Sequence, residues 1–331
     1  MDKINILKIK SPDNWNYLDI FFVYSPPNHY LAHLWEHLLF RKLSINKDIS
    51  IEKANTGSGI VNIRLKSKKK LNDIENILEV ERKNEALEKE RIKNELKEII
   101  EEKKRLFYQF LQNQDSDIFW KIEESKLPSE VLSIFNFKSS FIIVAEPDLK
   151  KESIDFENFQ AIEPAEDQPT DLIKNKKPNF CQLNFKVEID NELEANLLLI
   201  FLSSLNLEVK KKMEDSEIYR IYNDLFKGYS KNLFFNFSFF GNSKEKLREI
   251  LEIVETIKVG LNEDYRKELT EDLKENKKNR LRELEDKIWQ LLEWGSYIKP
   301  KKQIEKTKSL TEKELNSWWE NKKLEFFKVQ I

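Results

Sequence analysis

All three histidines of this chain stand close together, and they are the residues whose types and spacing could do chemistry. They are His29, His33 and His37, and the segment from His33 to His37 reads H-x-x-E-H with Glu36 as its acidic member. On a helix, His37 would lie about 40° around the axis from His33, and Glu36 about 60° to the other side. Two imidazoles at this spacing can bind one Zn²⁺, and the carboxylate would lie beside the coordination position that water takes.

The motif is specific in a sequence with so few histidines. Random placement of three histidines and 59 acidic residues would produce on the order of 0.005 such patterns in 331 positions. The alternative interpretation is a helix whose histidines are only partly buried and bind no metal. We interpret His29 as a helix-start residue, with a hydrogen-bonding role behind the metal ligands as the alternative.

Hydrophobic periodicity predicts the elements that must position the motif. In the first half, Asn28 is expected to cap the helix that carries the histidines. The predicted strands of this half are 4–9, 17–24, 60–65 and 141–145, and its predicted helices are 28–42 and 71–112. The second half repeats this order, with predicted strands 182–189, 233–240 and 324–331 and predicted helices 193–205, 216–226 and 311–319, besides charged helices that end at 294.

The repeated order of elements predicts an α+β fold made of two duplicated domains. In each domain we expect an antiparallel-rich mixed sheet that is covered by helices on one face. The zinc-binding catalytic domain is predicted at 1–161 and the second, homologous domain at 179–331. Residues 162–178 hold three prolines and little apolar periodicity, and are therefore predicted to be a linker.

Composition narrows the classes of partner. A net charge of −2 gives no general attraction to nucleic acid or to an anionic membrane. The single cysteine, Cys181, excludes an intrachain disulfide. The sequence has no run of 18 apolar residues and its start has no apolar signal region, so we expect no membrane span and a cytoplasmic protein.

The segment from His33 to Phe40 resembles the H-x-x-E-H-x-x-F signature of the pitrilysin/insulinase metallopeptidases, the inverzincins that include the mitochondrial processing peptidases. In that family a downstream helix carries two glutamates seven positions apart, and the second one binds zinc. The segment E-K-E-R-I-K-N-E, from Glu88 to Glu95, is similar. The resemblance implies that Glu95 is the third ligand, with Glu98 as the alternative, and that Glu88 supports the site from behind the ligands.

A second segment, K-A-N-T-G, resembles the N-A-x-T-G that begins the edge strand in this family. The resemblance implies that Ala54, Asn55, Thr56 and Gly57 bind the backbone of a peptide substrate, which would add to the sheet as a further strand. Lys53 replaces the asparagine of the family pattern.

The segment K-G-Y-S around Tyr229 resembles the part of the family that places a tyrosine over the zinc of a facing domain. The resemblance implies that Tyr229 donates to the oxyanion of the tetrahedral intermediate. The alternative is an ordinary aromatic residue at the start of a strand. Tyr222 stands where the family has an arginine, with Arg220 as a nearby substitute, and the interval from His37 to Glu95 is shorter than usual.

The function implied is that of a zinc metalloendopeptidase that hydrolyses peptides or small unfolded polypeptides, with Glu36 as the general base. Long members of the family carry two two-domain halves, and this chain supplies one. The resemblance therefore implies a homodimer or a heterodimer with a related subunit. The alternative function is a catalytically weak or inactive subunit that serves as the structural or binding partner in a heterodimeric peptidase. A helical interaction protein with an accidental motif is less consistent with the charged core positions of 71–112.

Overall fold

The structure is a computed structural model, and it describes residues 4–25, 28–57, 59–103, 126–128, 130–157, 159–161, 180–212, 221–227, 232–240, 252, 256, 258–322 and 324–328. The described strands are β1 (Asn5–Lys10), β2 (Asn16–Val23), β3 (Ile49–Gly57), β4 (Ile60–Ser67), β5 (Phe141–Glu146), β6 (Phe180–Glu188), β7 (Ile221–Lys227), β8 (Asn232–Phe240) and β9 (Leu324–Lys328). The described α-helices are α1 (His29–Ser44), α2 (Ile74–Leu78), α3 (Glu85–Lys103), α4 (Glu192–Lys212), α5 (Glu263–Lys278), α6 (Arg280–Trp294), α7 (Pro300–Ser309) and α8 (Glu312–Glu320).

These elements form two compact units, Met1–Glu163 and Pro164–Ile331. Each unit contains a sheet and several helices, so the predicted α+β class is confirmed. The predicted linker, 162–178, lies outside the described residues. None of the described helices combines the length and the apolar composition that a membrane span requires.

The sheet of the first unit has the strand order β1-β5-β2-β4-β3. β1 and β5 are parallel, and the other neighbours are antiparallel. The central strand β2 is buried along its whole length. β3 lies at the end of the described sheet and pairs there with β4, so the C-terminal half of β3 brings the K-A-N-T-G segment to a sheet edge.

Trp35 fixes α1 to this sheet. Its side chain is fully buried and packs on Phe22 of β2 and on Phe135, with ring centroids 5.5 and 5.0 Å away. The indole Nε1 donates to the carbonyl oxygen of Leu78 at 3.3 Å. Because an aromatic side chain of this size contributes much of the apolar area that a core buries, Trp35 determines which face of α1 meets the sheet.

The second unit has an antiparallel sheet with the order β7-β8-β6-β9 among its described strands. Its core is centred on α4, where Phe201 is fully buried and stacks on Trp319 of α8 at a centroid distance of 4.0 Å. Thr311 and Glu314 form a reciprocal capping box that begins α8.

Three local expectations were wrong. Residues 216–226 do not form one helix, because 221–227 is strand β7 and pairs with the aromatic-rich β8. The predicted helix 71–112 is interrupted after α2, where Glu79 takes an extended conformation, and the chain becomes helical again through α3. Asn28 does not cap α1 with its side chain, since its amide donates to Ser25 Oγ and to the carbonyl oxygen of Ile134.

Candidate metal centre

Helix α1 divides its residues between the core and a polar site. Leu34, Trp35, Leu38 and Leu39 are buried against the sheet. His33 and His37 lie on the flank of the same helix and are only partly exposed, with 13% and 20% of their side-chain surfaces accessible. The apolar stripe therefore orients the helix against the sheet. The 3.6-residue period of the helix then places the two histidine side chains on its flank.

Glu95 of α3 meets the two histidines. Nε2 of His33 and Nε2 of His37 lie 3.1 Å apart. Oε2 of Glu95 lies 3.8 Å from the first nitrogen and 3.4 Å from the second. One ligand atom from each of the three residues falls within 4.8 Å of the others, and this is the group of possible metal ligands that the described residues contain.

Burial and charge set the protonation of this group. Burial and, to a smaller extent, the neighbouring charge of His37 together lower the pKa of His33 to about 4, so the His33 imidazole is neutral at pH 7. The hydrogen bond to His37 lowers the pKa of Glu95. Burial alone would lower the pKa of His37, but Glu95, Glu36 and Glu88 outweigh it and raise that pKa. A neutral imidazole beside an ionised carboxylate presents lone pairs that a divalent cation can accept.

Glu36 is the buried acid of the motif, with 7% of its surface exposed. Burial raises the pKa of its carboxyl group, and a hydrogen bond from Thr56 opposes that rise. The hydroxyl of Thr56 donates to Oε2 of Glu36 at 2.6 Å. Because Thr56 belongs to β3, the acid of the motif is tied directly to the edge strand.

Glu88 lies behind the histidines. Its side chain is 1% exposed, and its Oε2 lies 3.5 Å from Nδ1 of His37, the ring nitrogen that does not face His33 and Glu95. Its Oε1 accepts a hydrogen bond from Nη1 of Arg41 at 2.9 Å. A carboxylate in this position can fix the orientation of the imidazole and the nitrogen that carries the proton.

Three solved structures resemble the whole chain. One is the periplasmic protease PqqL from Escherichia coli, with a TM-score of 0.64 and 9% identity over 99% of this chain. Another is a conserved protein from Enterococcus faecalis V583, with a TM-score of 0.66 and 14% identity over 100% of this chain and 98% of that one. The third is a candidate M16-like peptidase from Alicyclobacillus acidocaldarius, with a TM-score of 0.59 and 10% identity over 100% of this chain and 97% of that one.

This chain has the M16-like peptidase fold. The fold agrees with the resemblance to the pitrilysin family that the motifs indicate. No protein-family model and no curated protein matches the chain in sequence. The chain spans 45% of the length of PqqL.

Within the M16-like fold, the structure brings some of the predicted site residues together and leaves others apart. Ala54, Asn55, Thr56 and Gly57 lie in the C-terminal half of β3, where Ala54 packs against the core. Tyr229 lies outside the described residues. Glu98, the alternative third ligand, is part of α3, but its side chain is also outside the described part of the chain.

His29 lies apart from the three ligand atoms and has a different partner. Its Nδ1 is 2.8 Å from the hydroxyl of Tyr24, and burial lowers its pKa. Its ring centroid is 6.2 Å from that of His33. The ring therefore belongs to the start of α1, where it packs on Tyr24 and Tyr30.

Two contacts of the candidate metal centre were not expected from the sequence. Arg41 was not singled out, because it stands one helical turn after the motif and its partner, Glu88, is on another helix. Thr56 was expected to contact substrate, whereas the structure also joins its hydroxyl to Glu36. A signal for the first contact did exist, since Arg41 follows His37 by four residues and lies on the same face of α1.

Proposed function

We propose that this chain is a zinc-dependent peptidase in which His33, His37 and Glu95 hold the metal. The observation that carries the proposal is the meeting of these three side chains within 4.8 Å, next to Glu36, in an M16-like peptidase fold. The chain shares a protease-like fold with its structural neighbours. The metal and the reaction are our proposal.

The donor set fits zinc. Two imidazole nitrogens and one carboxylate oxygen are the ligands of a catalytic zinc site that keeps an open position for water. His37 would use Nε2 as a ligand, because its Nδ1 faces the buried carboxylate of Glu88 at 3.5 Å. Softer metals prefer sulfur ligands, and the one cysteine of the chain, Cys181, belongs to β6 rather than to α1 or α3.

Glu36 would act as the general base. When bound, zinc would polarise the scissile carbonyl and lower the pKa of a water molecule toward about 7. Glu36 would take a proton from that water and later deliver it to the amine that leaves. Thr56 occupies one oxygen of Glu36 as a hydrogen-bond donor, and the other oxygen, Oε1, would receive the proton.

The peptide would lie along β3. In the described sheet this strand pairs with β4, and its other edge would supply main-chain donors and acceptors to a substrate in extended conformation. Such pairing depends little on side chains, so we propose unfolded polypeptides and peptides as the class of substrate. Ala54, Asn55, Thr56 and Gly57 would make these contacts.

A partner subunit completes the proposal. The chain spans 45% of PqqL, which supports a working enzyme built from two such chains, either a homodimer or a heterodimer with a related subunit. Tyr229 would donate to the oxyanion from a second-half domain. The same observation supports a second candidate function, in which the chain is a weak or inactive subunit of a heterodimeric peptidase.

The test combines metal content with cleavage. Purified full-length chain should hold one zinc, cleave an unfolded peptide, lose that activity on chelation and regain it with zinc. His33→Asn should lose both zinc and activity, whereas His29→Asn, the matched control, should keep both. Zinc-free wild-type protein with undiminished cleavage would contradict the proposal. Stoichiometric zinc without cleavage until a related subunit is added would favour the second candidate.

A further inference from the structure

Two of the contacts between α1 and α3 lie side by side. In one, Nε2 of His37 lies 3.4 Å from Oε2 of Glu95. In the other, Nη1 of Arg41 lies 2.9 Å from Oε1 of Glu88. His37 and Arg41 are one turn apart on α1, and Glu88 and Glu95 are two turns apart on α3. The first contact belongs to the candidate metal centre, and the second lies directly behind it.

The two oxygens of Glu88 have different partners on α1. Oε1 accepts the hydrogen bond from Arg41, while Oε2 faces Nδ1 of His37 at 3.5 Å. The carboxylate is 1% exposed, so it cannot replace a lost partner with bulk water. A buried carboxylate that loses its cation turns to another partner or takes up a proton, and either response would alter the contact with His37.

We propose that Arg41 is a positioning residue, which holds Glu88 against His37 and thereby sets the affinity of the centre for zinc. The inference rests on the proposed zinc site. It extends that site to a side chain outside the H-x-x-E-H motif. The side chain of Arg41 bonds to Glu88, which is not a proposed ligand, and it acts through the orientation of the His37 ring.

Arg91 also reaches Glu88, but its contacts differ. Its Nη1 lies 3.2 Å from Oε1 and 3.4 Å from Oε2. Its side chain is 58% exposed, whereas that of Arg41 is 30% exposed. An exposed ion pair between residues three apart on one helix contributes little, since water screens it. Arg41 therefore has the greater effect on Glu88.

The test measures zinc affinity by competition with a chromophoric chelator, on the full-length chain. Arg41→Met should raise the zinc Kd about tenfold, and Glu88→Gln by about 10- to 100-fold. Arg41→Lys should recover part of the loss, because it restores the charge with a single donor group. Arg91→Met should change the Kd by no more than about twofold. Arg266→Met, in α5 of the second unit, is a matched control, since its arginine–glutamate pair is on a helix that carries none of the proposed ligands.

A double variant separates this role from a general loss of structure. If Arg41 acts through Glu88, Arg41→Met combined with Glu88→Gln should bind zinc as Glu88→Gln does, within about twofold. Additive losses would overturn the proposal, and so would wild-type affinity in Arg41→Met. Thermal unfolding of the metal-free variants shows whether they are folded. Failure of the wild-type chain to bind zinc would instead overturn the proposed function.

Discussion

Helices α1 and α4 each place a fully buried aromatic side chain in the core of their own unit, but their polar side chains differ. Each helix packs an aromatic side chain against another aromatic ring, Trp35 on Phe22 in the first unit and Phe201 on Trp319 in the second. Only α1 adds a flank of histidines, since all three histidines of the sequence belong to it.

On α4, Asn196 and Ser204 are buried polar residues whose side chains have hydrogen-bond partners. Asn196 donates to Oε1 of Gln303 at 3.1 Å. Ser204 donates to the carbonyl oxygen of Ile200 at 2.9 Å and accepts from the amide of Asn262 at 3.0 Å. These bonds compensate for the cost of burying polar groups, and nothing further is needed to stabilise them.

On α1, by contrast, two ring nitrogens and a carboxylate oxygen come together. Nε2 of His33, Nε2 of His37 and Oε2 of Glu95 lie within 3.8 Å of one another. A divalent cation can bind such a group once the imidazoles are neutral. The comparison teaches that the candidate metal site is recognised less by its burial than by the meeting of ring nitrogens and a carboxylate oxygen.

The largest expected effect follows from removing the acid of α1. Glu36→Gln should lower kcat about 100- to 10,000-fold, because the amide cannot take a proton from water. Zinc content and the unfolding midpoint should stay near those of wild type, since Glu36 is not a proposed ligand. The measurement is steady-state cleavage of a quenched fluorescent peptide together with metal analysis. Glu194→Gln on α4, whose carboxylate pairs with Lys322, is the control and should leave kcat unchanged. If Glu36→Gln cleaved the peptide at the wild-type rate, Glu36 would not be the general base. The proposed chemical difference between α1 and α4 would then be wrong.

The packing that the helices share predicts equal losses of stability. Trp35→Ala and Phe201→Ala should each lower the free energy of unfolding by about 3–5 kcal/mol, because each opens a cavity in a closed core. Denaturant titration measures this loss. Only Trp35→Ala should also weaken zinc binding, since Trp35 orients the helix that carries the ligands. If Phe201→Ala weakened zinc binding as much, the separation of the two cores would be wrong.

Whether a contact of the candidate site could be predicted from the sequence depended on how far apart its two residues lie along the chain. His33, Glu36 and His37 lie within one helical turn or so, and helix geometry alone puts them on one flank. Glu95 lies on another helix, so its identification needed a family resemblance. Sequence periodicity could not predict the pairing of Arg41 with Glu88, because the side chains of two helices meet only once packing has set their register.

Strand β7 shows the same limit for secondary structure. Residues 221–227 contain apolar side chains at spacings that a helix or a strand can use, and a short pattern of this kind does not separate the two. Pairing with β8 decides the outcome, because the neighbouring strand supplies hydrogen bonds along the whole segment. Such pairing is a non-local property, so the predicted helix at 216–226 was wrong.

A smaller effect is expected at the contact between Glu36 and the edge strand. Thr56→Val keeps the shape of the side chain and removes its donor, and a hydrogen bond to a charged group is worth about 1.5–3 kcal/mol. We therefore expect kcat to fall at least about tenfold, with KM and zinc content nearly unchanged, and Thr56→Ser to restore most of the rate. Ser204→Ala on α4 should lower stability without changing kcat. A rise in KM with an unchanged kcat would mean that Thr56 acts on substrate and not on Glu36.

The smallest effect concerns a half-buried acid of the second unit. Burial raises the pKa of Asp286 on α6, as it raises that of Glu36, and the charge of Glu285 adds to the shift. The native state therefore holds this proton more strongly than the unfolded state. Stability from the group is complete below its usual pKa of 3.8 and is lost as the pH rises through the higher native pKa.

Asp286→Asn should for that reason stabilise the protein at pH 7 by about 0.5–1 kcal/mol, and the gain should vanish in acid. The asparagine oxygen can still accept the hydrogen bond that Gln290 donates to Oδ2 at 2.8 Å. Unfolding midpoints measured across pH test this, with the exposed Asp272→Asn as the control. A gain that persisted unchanged at low pH would have to come from packing. A gain that disappears would show that α6 carries a buried carboxylate at a cost to stability, whereas on α1 the burial of Glu36 serves the proposed reaction.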